Sequence, residues 1–312
     1  MQRHRVVVVG STTIDKVIQH ATSVWKLGGV TTYAGLSFQR QHVETTILSN
    51  VATRHKGILE TLRRRGLRVS CDSSKATTCF IHDIKGDHRR QQLLCTADPI
   101  QIARIIPLLH AADLLSLGPL FPADLESEQL ELLRHRVPCI SLDLQGYVRE
   151  QRRGLVHPAV SDLLPHALRV ADIIKADYTE LSYILERYEI SLPRLMRRFS
   201  IQEIVVTQGS QGGIVKDIDG NELRYKACPV SVDGDSTGAG DVFFATYLTQ
   251  RLFHGQPAED AANTAARQAA RQVEGTYITA DELRLPAQIL ATEQRHGMYA
   301  RSRKASRTAK RH

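Results

Sequence analysis

Long apolar runs are missing from this 312-residue chain. The longest, Ile102 to Pro122, is interrupted by Arg104, His110 and Asp113 and does not span a bilayer. Val6 to Val9 follow Arg3 and Arg5, but four valines are too few for the apolar region of a signal peptide. Cysteine is scarce and scattered, at positions 71, 79, 95, 139 and 228, with no C-x-x-C pair and no histidine at ligand spacing. That excludes a disulfide scaffold and suits a reducing compartment, where each thiol is a small buried hydrophobe. The sequence also lacks H-E-x-x-H, Walker A and G-x-G-x-x-G patterns, which sets aside zinc proteases, P-loop enzymes and the usual dinucleotide binders. A hydrophobic fraction of 42% argues against disorder, and a chain of this length can bury a large core. The expectation is a soluble, cytoplasmic protein.

Charge is unevenly placed. Of the net +8, seven Lys or Arg lie between Arg295 and His312 with no Asp or Glu, leaving about +1 on the other 294 residues. Residues 295–312 show no apolar stripe and read as a basic disordered tail. A solvated end is the simpler account; weak contact with RNA, a membrane surface or an acidic partner is the alternative.

Short β-branched runs alternate with helical patterns over most of the length. Strands are expected at Arg5 to Val9, Thr45 to Leu48, Ala112 to Ser116, Cys139 to Leu142, Asp172 to Lys175 and Glu203 to Thr207. Helices are expected at Thr31 to Gln41, Asp124 to Arg134 and Asp177 to Arg187, and later at Ala239 to Phe253, Ala258 to Val273 and Ala280 to Ala291. Such alternation builds an α/β protein with a mainly parallel sheet covered on both faces. Two places break it. Thr77 to Ile84 and Arg89 to Thr96 read as a hairpin around Lys85-Gly86-Asp87-His88, and Asp15 to Trp25 reads as extended. A small antiparallel sheet built from about 11–30 and 75–97 would be either decoration or a lid over the strand ends. Past Thr207, the glycine-rich turn Gly209-Ser210-Gln211-Gly212-Gly213 precedes two strand-like runs.

The most informative stretch is Asp233-Gly234-Asp235-Ser236-Thr237-Gly238-Ala239-Gly240-Asp241, which leads into the apolar helix starting at Val242. Glycines at 238 and 240 allow a sharp turn that leaves backbone N–H groups before a helix N-terminus, a site for an anion. Asp241 inside that site is favoured as carboxylate and can accept a proton. Anion cradle plus base is the equipment for phosphoryl transfer to a hydroxyl. The competing account is a plain helix cap shaped by Asp235, Ser236 and Thr237.

Asp235 to Asp241 resembles the D-T-x-G-A-G-D signature of the ribokinase-like (PfkB) carbohydrate kinases. Val9-Gly10-Ser11 with Asp15, Gly28-Gly29, Asp177-Tyr178-Thr179-Glu180 and Val206-Thr207-Gln208-Gly209 resemble further family motifs, so the resemblance covers nearly all of residues 5 to 290. It implies a three-layer ribokinase-like domain over 1–294 with a β lid, followed by the tail. Asp241 would be the general base, with the Gly238, Ala239 and Gly240 amides as the anion hole. ATP would meet Thr207, Gly209, Gly212 and Thr237, with Asn263 and Gly275 near the adenine. Glu180, through water, and Asp177 would hold Mg2+, and K+ would sit near Asp235. Asp15, Gly28, Gly29 and Tyr33 would contact a sugar or polyol acceptor, and lids would pair in a homodimer.

Two residues depart from the family pattern. Asp177 replaces the asparagine of N-x-x-E and adds a negative charge. Tyr33 stands where G-G-x-x-x-N places an acceptor-binding asparagine, and an aromatic cannot make paired amide hydrogen bonds. This is similar to the inositol-kinase-like branch and points toward a polyol, or toward a Tyr33 that packs inward. Asp143 and Arg149, just past a strand, are further candidates for the crevice, whereas His82, His88 and His110 read as surface or hairpin residues. The expected activity is an ATP-dependent kinase of a small sugar or polyol. A nucleoside kinase of the same family and a catalytically silent nucleotide- or sugar-binding sensor are the alternatives.

Overall fold

The computed structural model describes residues 3–19, 22–85, 88–231 and 234–293; the basic tail lies outside the described residues. The chain opens with β1 (Arg5–Gly10), pairs β2 (Thr13–Gln19) with β3 (Thr22–Gly28), and enters α1 (Val30–Arg40). β4 (Glu44–Ala52), α2 (Gly57–Arg64) and β5 (Arg68–Ser74) follow, then β6 (Cys79–Lys85) and β7 (His88–Cys95). The middle runs through α3 (Ile102–Ile105), β8 (Leu114–Gly118), β9 (Ile140–Asp143), β10 (Arg149–Arg152), β11 (Leu155–Pro158), α4 (Leu164–Leu168) and β12 (Ile173–Asp177). The last part is α5 (Tyr178–Tyr188), α6 (Leu192–Phe199), β13 (Glu203–Thr207), β14 (Gly213–Asp217), β15 (Glu222–Tyr225), α7 (Ala239–Leu248) and α8 (Ala258–Val273).

Nine strands form the main sheet in the order β15-β14-β13-β12-β9-β8-β1-β4-β5. All its pairings are parallel except β13 with β14 and β14 with β15. Alternation in β1 shows why the runs are uniformly apolar. Val6 and Val8 enter one core with α1, α2, α7 and α8, while Val7 and Val9 enter another with α3, α4, α5 and α6. Both faces of the strand are buried over Val6 to Val9, so these four positions are all hydrophobic. Three layers result, as the alternation of elements predicts.

A second sheet, in the order β10-β11-β7-β6-β2-β3, forms the flap. The two expected insertions supply four of its strands, with β2 and β6 parallel at its middle. A third insertion, β10 and β11, extends it and is attached to β7 through Leu155 opposite Gln92. Arg149-Glu150-Gln151-Arg152 has no apolar alternation, so nothing in its pattern marks a strand.

Two expected helices are replaced. Over Asp124 to Arg134 the chain makes tight three-residue turns, with a 3-10 stretch at Ser127–Leu133. Leu130 and Leu133 are three apart, a spacing that a 3-10 turn satisfies as well as an α-helix, and the Asp124 carboxylate holds the turn by accepting from the Leu120 and Phe121 N–H groups. Within Ala280 to Ala291, Pro286 divides the segment: Glu282 accepts from the Thr279 N–H before it, and helix resumes only at 287–293. Among the described residues, no helix is long and apolar enough to cross a membrane.

Candidate active site

Parallel strands deliver Asp143, Asp177 and Thr207 from the ends of β9, β12 and β13 into one crevice, the place where open α/β sheets bind ligands. The loop 234–238 arrives there and turns into α7. Gly238 has φ of 82°, a left-handed value, and an added Cβ would lie 2.2 Å from the Tyr33 ring. Backbone conformation and space both demand glycine at this position. Thr237 fixes the loop by donating its N–H (2.9 Å) and hydroxyl (2.5 Å) to Asp235 Oδ1. The Ala239 N–H donates to Ser236 O at 3.1 Å and is therefore used within the loop, while the Gly240 amide precedes the first helical bond, Val242 N to Gly238 O. Asp241 follows in the first turn of α7.

Behind the loop stands Lys175, a residue absent from the sequence-based site. It is 5% exposed, its Nζ lies 2.6 Å from Asp143 Oδ2, and an added Cβ on Gly240 would sit 3.4 Å from that nitrogen. Burial alone would lower the Lys175 pKa, but the carboxylates of Asp143, Glu180 and Asp241 outweigh it and hold the ammonium charged. Glu180 is also shifted upward, which for a carboxyl favours the neutral form. Burial raises its pKa, Asp143 adds to that, and Lys175 opposes. Asp177 and Glu180 also make a reciprocal cap on α5. Asp177 Oδ1 accepts from Glu180 N at 2.7 Å, and Glu180 Oε2 accepts from Asp177 N at 2.8 Å. A lysine inside the otherwise apolar run Ile173–Ala176 is the signal that could have found Lys175.

The opposite wall comes from the flap. Asp15 is 2% exposed, and Gly28 packs so tightly behind it that a Cβ would fall 1.9 Å from its Oδ2. Asp15 Oδ1 and Thr13 Oγ1 have no hydrogen-bond partner among the described residues, and both residues line the cavity. Two buried acceptors in this state suit the hydroxyls of a ligand. His82, expected as a surface or hairpin residue, lies in the hairpin strand β6 and is 3% exposed. Gln91 Nε2 donates to its Nδ1 at 3.2 Å, which leaves the Nε2 proton facing Asp15 Oδ2 at 3.5 Å. Phe80 stacks on the His82 ring at 5.6 Å. Tyr33 is fully buried with its ring beneath Gly238, so it both packs inward and floors the cavity.

Two cavities meet at the loop. The first, about 340 Å3, contains Asp15, Gly29, Tyr33, His82, Asp143, Arg149, Lys175, Asp177, Glu180, Thr237 and Asp241. The second, about 710 Å3, is walled by Val230, Phe243, Ala266, Ala269 and Val273 and includes Gly212. Thr207, Gly209, Ser236, Ala239 and Gly240 belong to both. Of the sequence-based candidates, Gly28, Asn263 and Gly275 line neither cavity. Gly28 backs Asp15, and α8 turns its alanine face, one turn beyond Asn263, toward the second cavity. Asp143 and Arg149, left open in the sequence, both reach the first.

Asp235 carries an unexpected partner. Lys26, from β3, places its Nζ 2.5 Å from Asp235 Oδ2, with both side chains mostly buried. Although burial raises the Asp235 pKa, Lys26 and Thr237 bring it down to about 2 from 3.8. A depressed folded value stabilises above the unfolded pKa and is lost as pH falls through the folded one. Lys26→Met should therefore cost about 2 kcal/mol at neutral pH and move the acid limb of unfolding upward, as read from melts between about pH 2 and 5. An acid limb identical to the native one would mean the pair is not maintained in solution.

The layered sheet, flap and helix-capped crevice define a ribokinase-like α/β protein. Residues 3–282 match the pfkB family of carbohydrate kinases, and the chain belongs to that family. A fructokinase of Klebsiella pneumoniae is 39% identical over 98 residues, a match covering 31% of this chain and 31% of that enzyme's own length. A pyrophosphate-dependent kinase of the ribokinase family, solved with a pyrophosphate analog and myo-inositol, superposes with TM-score 0.75 at 22% identity over 86% of this chain and 94% of its own. Arabidopsis thaliana ribokinase, solved with ribose and ATP, gives 0.68 at 16% identity over 93% of this chain and 98% of its own.

Proposed function

We propose that this protein transfers the γ-phosphoryl group of ATP to a hydroxyl of a small sugar or polyol. The observation that carries the proposal is the meeting of two cavities at one glycine-turned helix N-terminus, with Asp241 on the first cavity only. The donor occupies the larger cavity and extends its phosphates to the shared loop. The acceptor lies against Asp15, Thr13 and Tyr33 with a hydroxyl toward Asp241. Asp241 takes that hydroxyl's proton, and the Gly238 and Gly240 amides stabilise charge on the transferred group. Lys175 adds a fixed positive charge behind Gly240. Magnesium commonly uses one or two carboxylates together with waters and substrate phosphates. Glu180 and Asp177 on the first cavity fit that demand, and the ion would neutralise charge on the phosphates.

The family neighbourhood contains both ATP- and pyrophosphate-associated proteins. The second cavity favours ATP. Its apolar walls suit a flat base, which pyrophosphate lacks. Initial rates with ATP or pyrophosphate, each with Mg2+ and a panel of sugars, polyols and nucleosides, test this; turnover with pyrophosphate alone would overturn the donor assignment. Within the same reading, Lys26 supplies to Asp235 the positive charge that the resemblance assigns to K+. Native turnover should be the same in potassium and tetramethylammonium buffers of equal ionic strength. Activation of the native chain by K+ would contradict it.

A further inference from the structure

Cys79 and Cys95 belong to one hairpin and stand opposite each other where β6 begins and β7 ends, beside a shift in the ladder's register. Directly opposed antiparallel residues have Cα atoms about 4.5–5.5 Å apart, inside the span of about 4.4–6.8 Å that a disulfide bridges. Their sulfurs meet. The Cys95 thiol donates to the Thr77 carbonyl oxygen at 3.0 Å, and the Cys79 side chain bonds to Cys95. That hydrogen bond lowers the Cys95 pKa against the effect of burial, whereas Cys79 is pushed up. Cys79 is buried and Cys95 partly exposed, so Cys95 is the thiol that a peroxide reaches and, once it gives up its proton, the nucleophile. Burial raises the Cys71 thiol and pushes Cys139 up to about 12, so neither competes as a nucleophile.

The pair sits at the root of the flap. Thr77 Oγ1 accepts from Ala52 N at 2.9 Å, Thr78 Oγ1 accepts from Ala97 N at 3.0 Å, and the Thr78 carbonyl accepts from Ile14 N at 3.0 Å. The first ties the chain entering β6 to β4 of the main sheet, and the other two hold it to the segment after β7 and to β2 within the flap. From the same point β6 runs on through Phe80 to His82, which faces Asp15.

We propose that Cys79 and Cys95 form a redox-active dithiol that a peroxide converts to a disulfide, fixing the root of the flap. Calling the covered cavity the acceptor site rests on the function proposed above; the thiol chemistry does not. The Cys95 thiolate attacks hydrogen peroxide, forming S–O and breaking O–O as hydroxide leaves. The Cys79 sulfur then attacks Cys95, forming S–S and breaking S–O. The departing hydroxide leaves with the Cys79 proton as water. Two electrons pass from the thiols to the peroxide, and a dithiol reductant returns them.

The test uses the full chain, treated with hydrogen peroxide and then with dithiothreitol. The expected result is loss of two of the five free thiols. A mass decrease of about 2 Da should accompany it. Both changes should reverse on reduction, with the cross-link mapped to a peptide joining Cys79 to Cys95. Amides of β6 and β7 should exchange more slowly in the oxidised protein. Cys95→Ser should leave Cys79 unmodified at the same peroxide dose, and Cys79→Ser should trap Cys95 as sulfenic acid. Thiol loss confined to Cys71, Cys139 or Cys228 overturns the site, as does sulfinic acid on native Cys95 without a bridge. A mapped bridge with unchanged exchange overturns the fixing of the flap. None of these readouts depends on turnover, so failure of the kinase assignment is seen separately.

Discussion

Asp241→Asn should lower turnover by about 100- to 10,000-fold, the range that general-base catalysis contributes. Asparagine keeps the size and the helical position but cannot take a proton from the acceptor hydroxyl. Asp241 lines the first cavity and not the second, so donor affinity should change far less than turnover. The measurements are kcat for the best acceptor of the panel and ATP affinity by calorimetry. A variant retaining more than about a tenth of native turnover would remove Asp241 from the base role. A large loss of ATP affinity would assign it to donor binding instead.

The residues that were legible in the sequence are those whose role depends on near neighbours in the chain. Gly238, Gly240 and Asp241 form one turn into α7, and Asp177 with Glu180 forms one cap on α5, so spacing alone exposed them. The central strands, such as β1, were equally plain because burial on both faces makes them continuously apolar, whereas the edge strand β5, polar and only partly buried, was not. What stayed hidden was made by long-range pairing. His82 reads as an ordinary hairpin histidine until β6 pairs with β2 and sets it against Asp15. Lys26 and Asp235 are 209 positions apart, and neither shows in local pattern that it is half of a pair. Asn263 and Gly275, which the resemblance set near the adenine, line neither cavity for a related reason. The resemblance pointed to α8, but which face of that helix meets the cavity is set by packing, and that face is alanine with Val273.

Lys175 tests whether a group hidden from sequence is structural, catalytic or both. Lys175→Met should destabilise the fold by about 3–5 kcal/mol, because removing one partner of a buried pair leaves the other charge uncompensated. Asp143 is that partner, 6% exposed, with Glu180 close enough to share the ammonium. Turnover should fall too, by roughly 100- to 1,000-fold if the ammonium behind Gly240 acts as one stabilising donor does for a developing anion. Stability and catalysis are separated by the double variant Lys175→Met with Asp143→Leu. Replacing a whole buried ion pair with apolar residues is often neutral or stabilising, so the double variant should recover most of the lost melting temperature. It has no ammonium, so its turnover should remain as low as that of Lys175→Met alone. Thermal melts and initial rates on both variants give the answer. Recovery of turnover together with stability would make Lys175 purely structural, whereas stability without turnover leaves its charge as part of the chemistry.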